Sequence, residues 1–233
     1  MPSALITGAN RGLGLEFARQ YAADVVGRFT RLVVIQVPPQ SCADWLRRAA
    51  TSCGSWSLDV TDPASVKAVA TELDGQAIDL LLNNAGVGGA RGQTVGNIDN
   101  KAWAKVLDVN TLGPMRVSEA FVDHVARSER KLIVTLTSGM GSLADNTSGG
   151  SIAYRSSKAA VNMVMRSLAI DLAPHGITIW ITAQAATRLR NMSSLLKGCS
   201  ARLQARVIIA PHRHSRKIQW PTGFSICLCY GWP

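Results

Sequence analysis

No stretch of about 18 or more uncharged apolar residues occurs in the chain, so nothing in it reads as a membrane-spanning helix. The opening residues, MPSALITGANRGLG, lack the cationic region and apolar core of a secretory leader. They read instead as a first β-strand running into a glycine-rich turn. Cysteine is scarce and scattered, with five residues at Cys42, Cys53, Cys199, Cys227 and Cys229. An odd, dispersed set argues against a disulfide framework and fits a reducing compartment, the cytoplasm. Cys227 and Cys229 stand one residue apart, which is not zinc-finger spacing. His212 and His214 nearby do not make them a metal site, and we assign no metal.

Acidic residues are missing where the bases are concentrated. Residues 181–233 hold eight Lys/Arg and no Asp or Glu, contributing +8. Residues 25–58 hold four arginines against Asp44 alone, contributing +3, and the remainder sums to −1, which together give the net charge of +10. A basic chain suggests nucleic acid or an anionic surface as partner. Here the basicity is confined to two segments and does not characterise the rest. With 47% hydrophobic and 17% charged residues the composition is that of a globular protein. The 233 residues suit one α/β domain, with at most a small second one.

Along the chain, strand-like and helix-like patterns alternate. Residues 4–7 form a short apolar strand, residues 8–14 a turn, and residues 15–23 carry helical spacing. A strand is expected at 57–60. Thr61 or Asp62 then caps a helix with Pro63 at its first position and Val66, Val69, Ala70 and Leu73 on its apolar face. Residues 78–83 read as a buried strand. Residues 101–126 read as one long helix interrupted near Gly113-Pro114. A strand at 132–137, a helix at 153–172 and a strand at 177–181 follow. This alternation implies an α/β fold with a doubly wound parallel sheet, Rossmann-like, whose ligands bind beyond the carboxyl ends of the strands.

The chemistry-bearing motifs fall at those strand ends. Thr7-Gly8-Ala9-Asn10-Arg11-Gly12-Leu13-Gly14 has the pattern TGxxxGxG between a strand and a helix. Gly8 permits a tight turn, Gly12 lets the backbone approach a pyrophosphate, and Gly14 permits close packing. The phosphates would sit on the helix N-terminus, where free N–H groups and the helix dipole favour anions. Arg11 is placed to meet a 2′-phosphate, or is a solvated loop arginine. Asp59-Val60 ends the next strand, where an Asp can hold an adenine amino group. Asn83-Asn84-Ala85-Gly86, Asn110, Ser138 and the pair Tyr154-x-x-x-Lys158 follow in that order.

This ordered set resembles the short-chain dehydrogenase/reductase family. The stretch ADNTSGGSIAYRSSKAAVNM, residues 144–163, looks like the carbonyl reductase branch that includes the bacterial C-factor and the insect enzyme sniffer. The long interval from Ser138 to Tyr154 suits that branch. The resemblance implies an oxidoreductase that interconverts a carbonyl and an alcohol by hydride transfer, with NADP as cofactor and NAD as the alternative. It implies Asn110, Ser138, Tyr154 and Lys158 as catalytic residues. It implies cofactor binding by Gly8, Asn10, Arg11, Gly12, Leu13, Gly14, Asp59, Val60, Asn83, Ala85, Gly86, Tyr154 and Lys158.

The roles have a physical basis. A tyrosine hydroxyl ordinarily keeps its proton to a pH of about 10, too high for proton exchange near neutrality. A neighbouring cation favours the phenolate, and Lys158 lies i+4 from Tyr154 on the same helical face. The resemblance further implies that Lys158 holds the nicotinamide ribose and that Ser138 steadies the substrate oxygen. It implies that Asn110 holds a water linking Lys158 to solvent. Ser142 rivals Ser138, which is preferred because it directly follows a strand.

Two segments depart from the family. Around residues 25–55 no acidic residue closes a second strand, and Pro38-Pro39 follow the strand-like residues 33–37. Residues 28–35, RFTRLVVI, can be back-translated so that a shifted frame reads VHATCRN, with a proline completed by the next codon. The branch carries such a string at its second strand, its arginine set to meet a 2′-phosphate. From residue 182 the expected Pro-Gly is replaced by ITAQAATRLRNMSS. We therefore divide the chain into a dinucleotide-binding and catalytic domain, 1–181, and an atypical basic tail, 182–233, also read as out of frame and poorly ordered.

Three functional readings stand at this point. The first is an active carbonyl or alcohol oxidoreductase taking a small-molecule substrate. The second is a catalytically impaired or non-enzymatic relative acting through binding or signalling. The third, a nucleic-acid-binding module, rests only on the tail and is the weakest. The resemblance also allows homo-oligomers joined through 101–126 and 153–172, although the branch includes monomers.

Overall fold

The computed structural model describes residues 3–23, 31–35, 52–90, 93–183, 208–209, 218–219 and 225–226. Cys42, Cys199, Cys227, Cys229, His212, His214 and most of the basic tail lie outside these residues.

Strand β1 (Ser3–Thr7) leads through the glycine turn into helix α1 (Gly12–Ala23). Strands β2 (Arg31–Ile35) and β3 (Ser52–Trp56) precede helix α2 (Pro63–Glu72) and strand β4 (Leu80–Asn83). Helix α3 (Asn100–Leu107), a π-helical segment (Asp108–Leu112), helix α4 (Gly113–Ala120) and helix α5 (Val122–Ala126) follow without a loop between them. Strand β5 (Leu132–Thr137), helix α6 (Ile152–Asp171) and strand β6 (Thr178–Ala183) complete the enzyme-like region. The two-residue strands β7 (Ile208–Ile209), β8 (Ile218–Gln219) and β9 (Ser225–Ile226) come from the tail.

The main sheet has the order β3-β2-β1-β4-β5-β6-β7 and every pairing in it is parallel. The strand order reverses between β1 and β4, so a crevice opens beyond Thr7 and Asn83, where such sheets take their ligands. Alternate side chains along the strands face opposite layers. Leu5, Leu81, Ile133 and Ile179 pack with Val66, Val117, Phe121, Val161 and Met165. Ala4, Ile6, Leu80, Leu82 and Val134 pack with Phe17, Ala18 and Tyr21 of α1. Both faces are thus covered, which is why these strands are continuously apolar. Full burial of a side chain such as Phe121 or Met165 contributes about 1.5–3 kcal/mol.

Local chemistry sets the ends of the elements. Asp62 is the cap of α2, its Oδ1 accepting from Ala64 N at 2.9 Å, with Pro63 in the first turn as its spacing predicts. Asp99 caps α3 through Lys101 N and Ala102 N.

Several boundaries differ from the sequence reading. Helix α1 begins at Gly12 inside the glycine motif, because the turn needs only Gly8 and Gly12 in the left-handed region. The strand expected at 57–60 lies earlier, at Ser52–Trp56, so Asp59 is three residues beyond its end. The break in 101–126 begins at Asp108 and not at Gly113-Pro114, since the π segment widens the helix ahead of the proline. The tail also contributes a last parallel strand, with β7 pairing Trp180 and Ile181 of β6.

Candidate active site

The glycine turn is fastened to the end of β4 by two side chains. The Thr7 hydroxyl accepts from Asn84 N at 3.0 Å and Ala85 N at 3.1 Å. The Asn84 amide donates back to Thr7 O at 2.8 Å and Gly8 O at 3.1 Å. Gly8 has φ +65°, and a Cβ there would meet Ala85 Cα at 2.8 Å. A Cβ on Gly14 would run into the Gly8 carbonyl and the Asn84 amide. Gly14 thus keeps the helix start against the turn and the β4 end rather than against a strand face. Gly12, with φ +55°, faces open space. Asn10 is half-buried and Arg11 exposed, while Leu13 is 37% exposed despite being apolar. The result is an open helix N-terminus rimmed by backbone, suited to an anion.

Beyond β3, Asp59 Oδ1 accepts from Thr61 N at 2.8 Å and Thr61 Oγ1 at 2.7 Å. These bonds, aided by the charges of Lys105 and Arg116, hold the carboxyl of this exposed residue below its ordinary range. Val60 is buried beside it.

Asn110 lies in the π segment, a device that recurs at functional sites because it re-aims a helical side chain. Its Oδ1 accepts from Val87 N at 2.8 Å, and its Nδ2 donates to Val87 O at 2.8 Å and Ser157 Oγ at 3.0 Å. Ser157 Oγ in turn donates to Tyr154 O at 2.8 Å, and Thr111 Oγ1 donates to Ser157 O at 3.0 Å. Two successive residues of the π segment therefore grip the turn of α6 that carries Tyr154 and Lys158.

Lys158 is buried, and burial pushes its ammonium down to about 8. Its Nζ donates to Leu136 O at 3.0 Å and lies 5.7 Å from the centroid of the Tyr154 ring. A Cβ on Gly86 would lie 3.3 Å from Asn110 Oδ1 and 3.8 Å from Lys158 Nζ, so the end of β4, the π segment and α6 meet at one point. The end of β5 joins them. Thr137 Oγ1 approaches Lys158 O at 3.5 Å, and a Cβ on Gly141 would clash with Lys158 at 2.8 Å. Ser138 is extended directly after β5, its Oγ accepting from Met140 N at 3.2 Å. The rival Ser142 accepts from Asp145 N at 3.3 Å, in the loop beyond. Asn83 is buried beneath the site, its Nδ2 donating to Ser118 Oγ and Thr135 Oγ1.

Each residue expected from the sequence thus lies at or beyond the carboxyl edge of the sheet. Thr7, Asn84, Thr111 and Ser157 are missing from that expectation. Thr7 and Asn84 stand inside the quoted motifs. Thr111 and Ser157 neighbour Asn110 and Lys158, but nothing in their residue type marks them.

The family model described as short chain dehydrogenase matches residues 2–197. The C-signal of Myxococcus xanthus is 42% identical over 111 residues, covering 48% of this chain and 66% of that protein, so the match spans just under two thirds of its length. Among solved structures, the NADPH-bound carbonyl reductase from chicken fatty liver superposes with a TM-score of 0.70 at 32% identity, covering 78% of this chain and 79% of that one. The carbonyl reductase Sniffer of D. melanogaster gives 0.72 at 25% identity, covering 78% and 80%. Among the described residues no helix is long and apolar enough to cross a membrane, and no group of metal-ligating side chains stands together. With matched motifs, sheet order and family model in agreement, this chain belongs to the short-chain dehydrogenase family.

Proposed function

We propose that the chain is an NADP-dependent oxidoreductase that interconverts a small-molecule carbonyl and its alcohol, with the working machinery within residues 1–181. The observation that carries this reading is the meeting of Tyr154, Lys158, Asn110 and Gly86 beyond the switch point of the sheet. The site suits a dinucleotide. Gly12 leaves open space at a helix N-terminus. Asp59 keeps Oδ2 for an adenine amino group, since its bonds to Thr61 use Oδ1. Among similar proteins, the chicken carbonyl reductase was solved with NADPH, and Arg11 supplies a charge for a 2′-phosphate. NAD is the alternative cofactor.

When bound, the nicotinamide supplies or accepts the hydride. In the reducing direction the Tyr154 hydroxyl donates a proton to the substrate oxygen, and in the oxidising direction its phenolate takes that proton back. Lys158 provides the neighbouring cation and the ribose contact. Ser138, which follows β5 directly, holds the substrate oxygen. Asn110 Nδ2 donates to both Val87 O and Ser157 Oγ, while its Oδ1 accepts one bond, from Val87 N. With both Nδ2 hydrogens taken, a relay water at Asn110 would donate to an oxygen, either the second lone pair of Oδ1 or the main-chain carbonyl. Gly8, Asn10, Leu13 and Gly14 shape the phosphate turn, while Ala85, Gly86 and Val60 line the crevice, with Asn83 supporting it from beneath.

Tyr154→Phe tests the reading. The variant should lose turnover of a carbonyl panel with NADPH by about a hundredfold or more while keeping its NADPH affinity. Equal loss of binding and turnover would remove Tyr154 from the proton step. The second reading, a relative that binds but does not turn over, draws on the missing Pro-Gly after β6. A cooperatively melting protein that binds NADPH and reduces no member of the panel would favour it.

A further inference from the structure

One turn of α4 presents two residues to the loop at Asp59–Thr61. Gly113 and Arg116 are three apart and share a helix face. Val60 packs so tightly against Gly113 that a Cβ there would lie 3.0 Å from Val60 Cγ2. The Arg116 guanidinium then reaches two separate places. Its Nη1 donates to Val60 O at 3.1 Å. Its Nη2 pairs with Asp108 Oδ1 at 2.6 Å, and the two side chains are only 25% and 34% exposed. Asp108 opens the π segment that holds Asn110, and Arg116 also feels the Asp59 carboxylate.

We infer that Arg116 is a positioning residue for the adenine half of the cofactor, fixing the Asp59–Val60 loop to the π segment by a single two-ended guanidinium. The planar fork suits this double engagement, which a lysine ammonium would meet with one end at best. Without it, Val60 would keep its apolar seat on Gly113, but its carbonyl would lose a charge-assisted donor. The loop that meets the base would then be ordered only on binding, at the expense of affinity. The inference rests on the dinucleotide reading above.

The test separates the two halves of the ligand on the purified full chain. Calorimetry measures 2′,5′-ADP as the adenine half, reduced nicotinamide mononucleotide as the other half, and NADPH as the whole. Arg116→Ala should weaken 2′,5′-ADP and NADPH by about tenfold and leave the nicotinamide fragment unchanged, with Arg116→Lys in between. A merely structural role would weaken both fragments alike. That result, or an unchanged 2′,5′-ADP affinity, overturns the inference. Should Arg116→Ala not fold, Arg116→Gln carries the comparison, because it keeps a donor for Val60 O but no charge for Asp108. Wild-type protein that binds none of the three ligands would overturn the dinucleotide reading itself, and this inference with it.

Discussion

At the scale of single residues, the role proposed for Lys158 works against stability. Its ammonium is buried against Leu136 O and Tyr154, and desolvation lowers it from 10.5 to about 8. A lysine depressed in the folded state opposes folding while it is charged. That penalty is fully present below about pH 8 and is relieved as pH rises toward 10.5, because the unfolded chain then binds more protons than the native one. The size is on the order of 3 kcal/mol. Unfolding of the ligand-free protein in denaturant should therefore show this site's contribution to stability rising between pH 8 and pH 10.5. Lys158→Met should raise stability at pH 7 and flatten that part of the profile, while removing turnover. A wild-type and Lys158→Met pair with parallel profiles would show that the ammonium is solvated after all.

At the scale of elements, the start of α6 and the glycine turn are set by backbone that few side chains tolerate. Gly149, Gly150 and Ser151 have φ +62°, +65° and +46° in succession, and Ser151 makes no side-chain cap bond. Arg155 ties this loop back to the helix through Gly149 O at 3.1 Å and Ser148 Oγ at 2.8 Å. The left-handed region costs a non-glycine residue about 1–2 kcal/mol, so Ser151→Gly should be neutral to stabilising and Ser151→Val destabilising by thermal melt. The opposite order would mean that the Ser151 side chain contributes more than its strain costs. Gly14→Ala should be worse than either, because its Cβ meets the Gly8 carbonyl and Asn84 together. The glycine pattern and the candidate residues Asn83, Asn110, Ser138, Tyr154 and Lys158 were legible because the family resemblance rests on their type and order. The continuously apolar strands were legible because they are buried on both faces. Thr111, Ser157 and Arg116 were not legible, since their roles arise from contacts 46 to 56 residues away in sequence. The break in the helix at 101–126 was expected near Gly113-Pro114 and begins at Asp108, because a proline marks a break more visibly than the residues that widen the helix ahead of it.

At the scale of the whole molecule, the basic charge and the departures from the family fall in the same two places. Residues 25–58 and 181–233 carry +3 and +8, while the rest of the chain sums to −1. A shifted reading frame explains both facts at once, because it replaces a selected acid–base balance by whatever the displaced codons encode. We propose that residues of about 25–55 and those after 181 are such stretches. The sheet does not argue against this. RLVVI is apolar and β-branched enough to pair with β1 as β2 whatever its origin. What the stretch lacks is a residue chosen to recognise the cofactor at the end of that strand. The coding DNA decides first: codons for residues 28–35 that cannot be regrouped into VHATCRN would overturn the proposal. If they can, a chain with the frame restored would gain an arginine near the end of β2, where a 2′-phosphate is expected to lie. Its preference for NADPH over NADH, measured as the ratio of kcat/KM, should then exceed that of the present chain by about tenfold or more. An unchanged ratio would mean that Arg11 alone sets the cofactor choice and that the second strand takes no part in it.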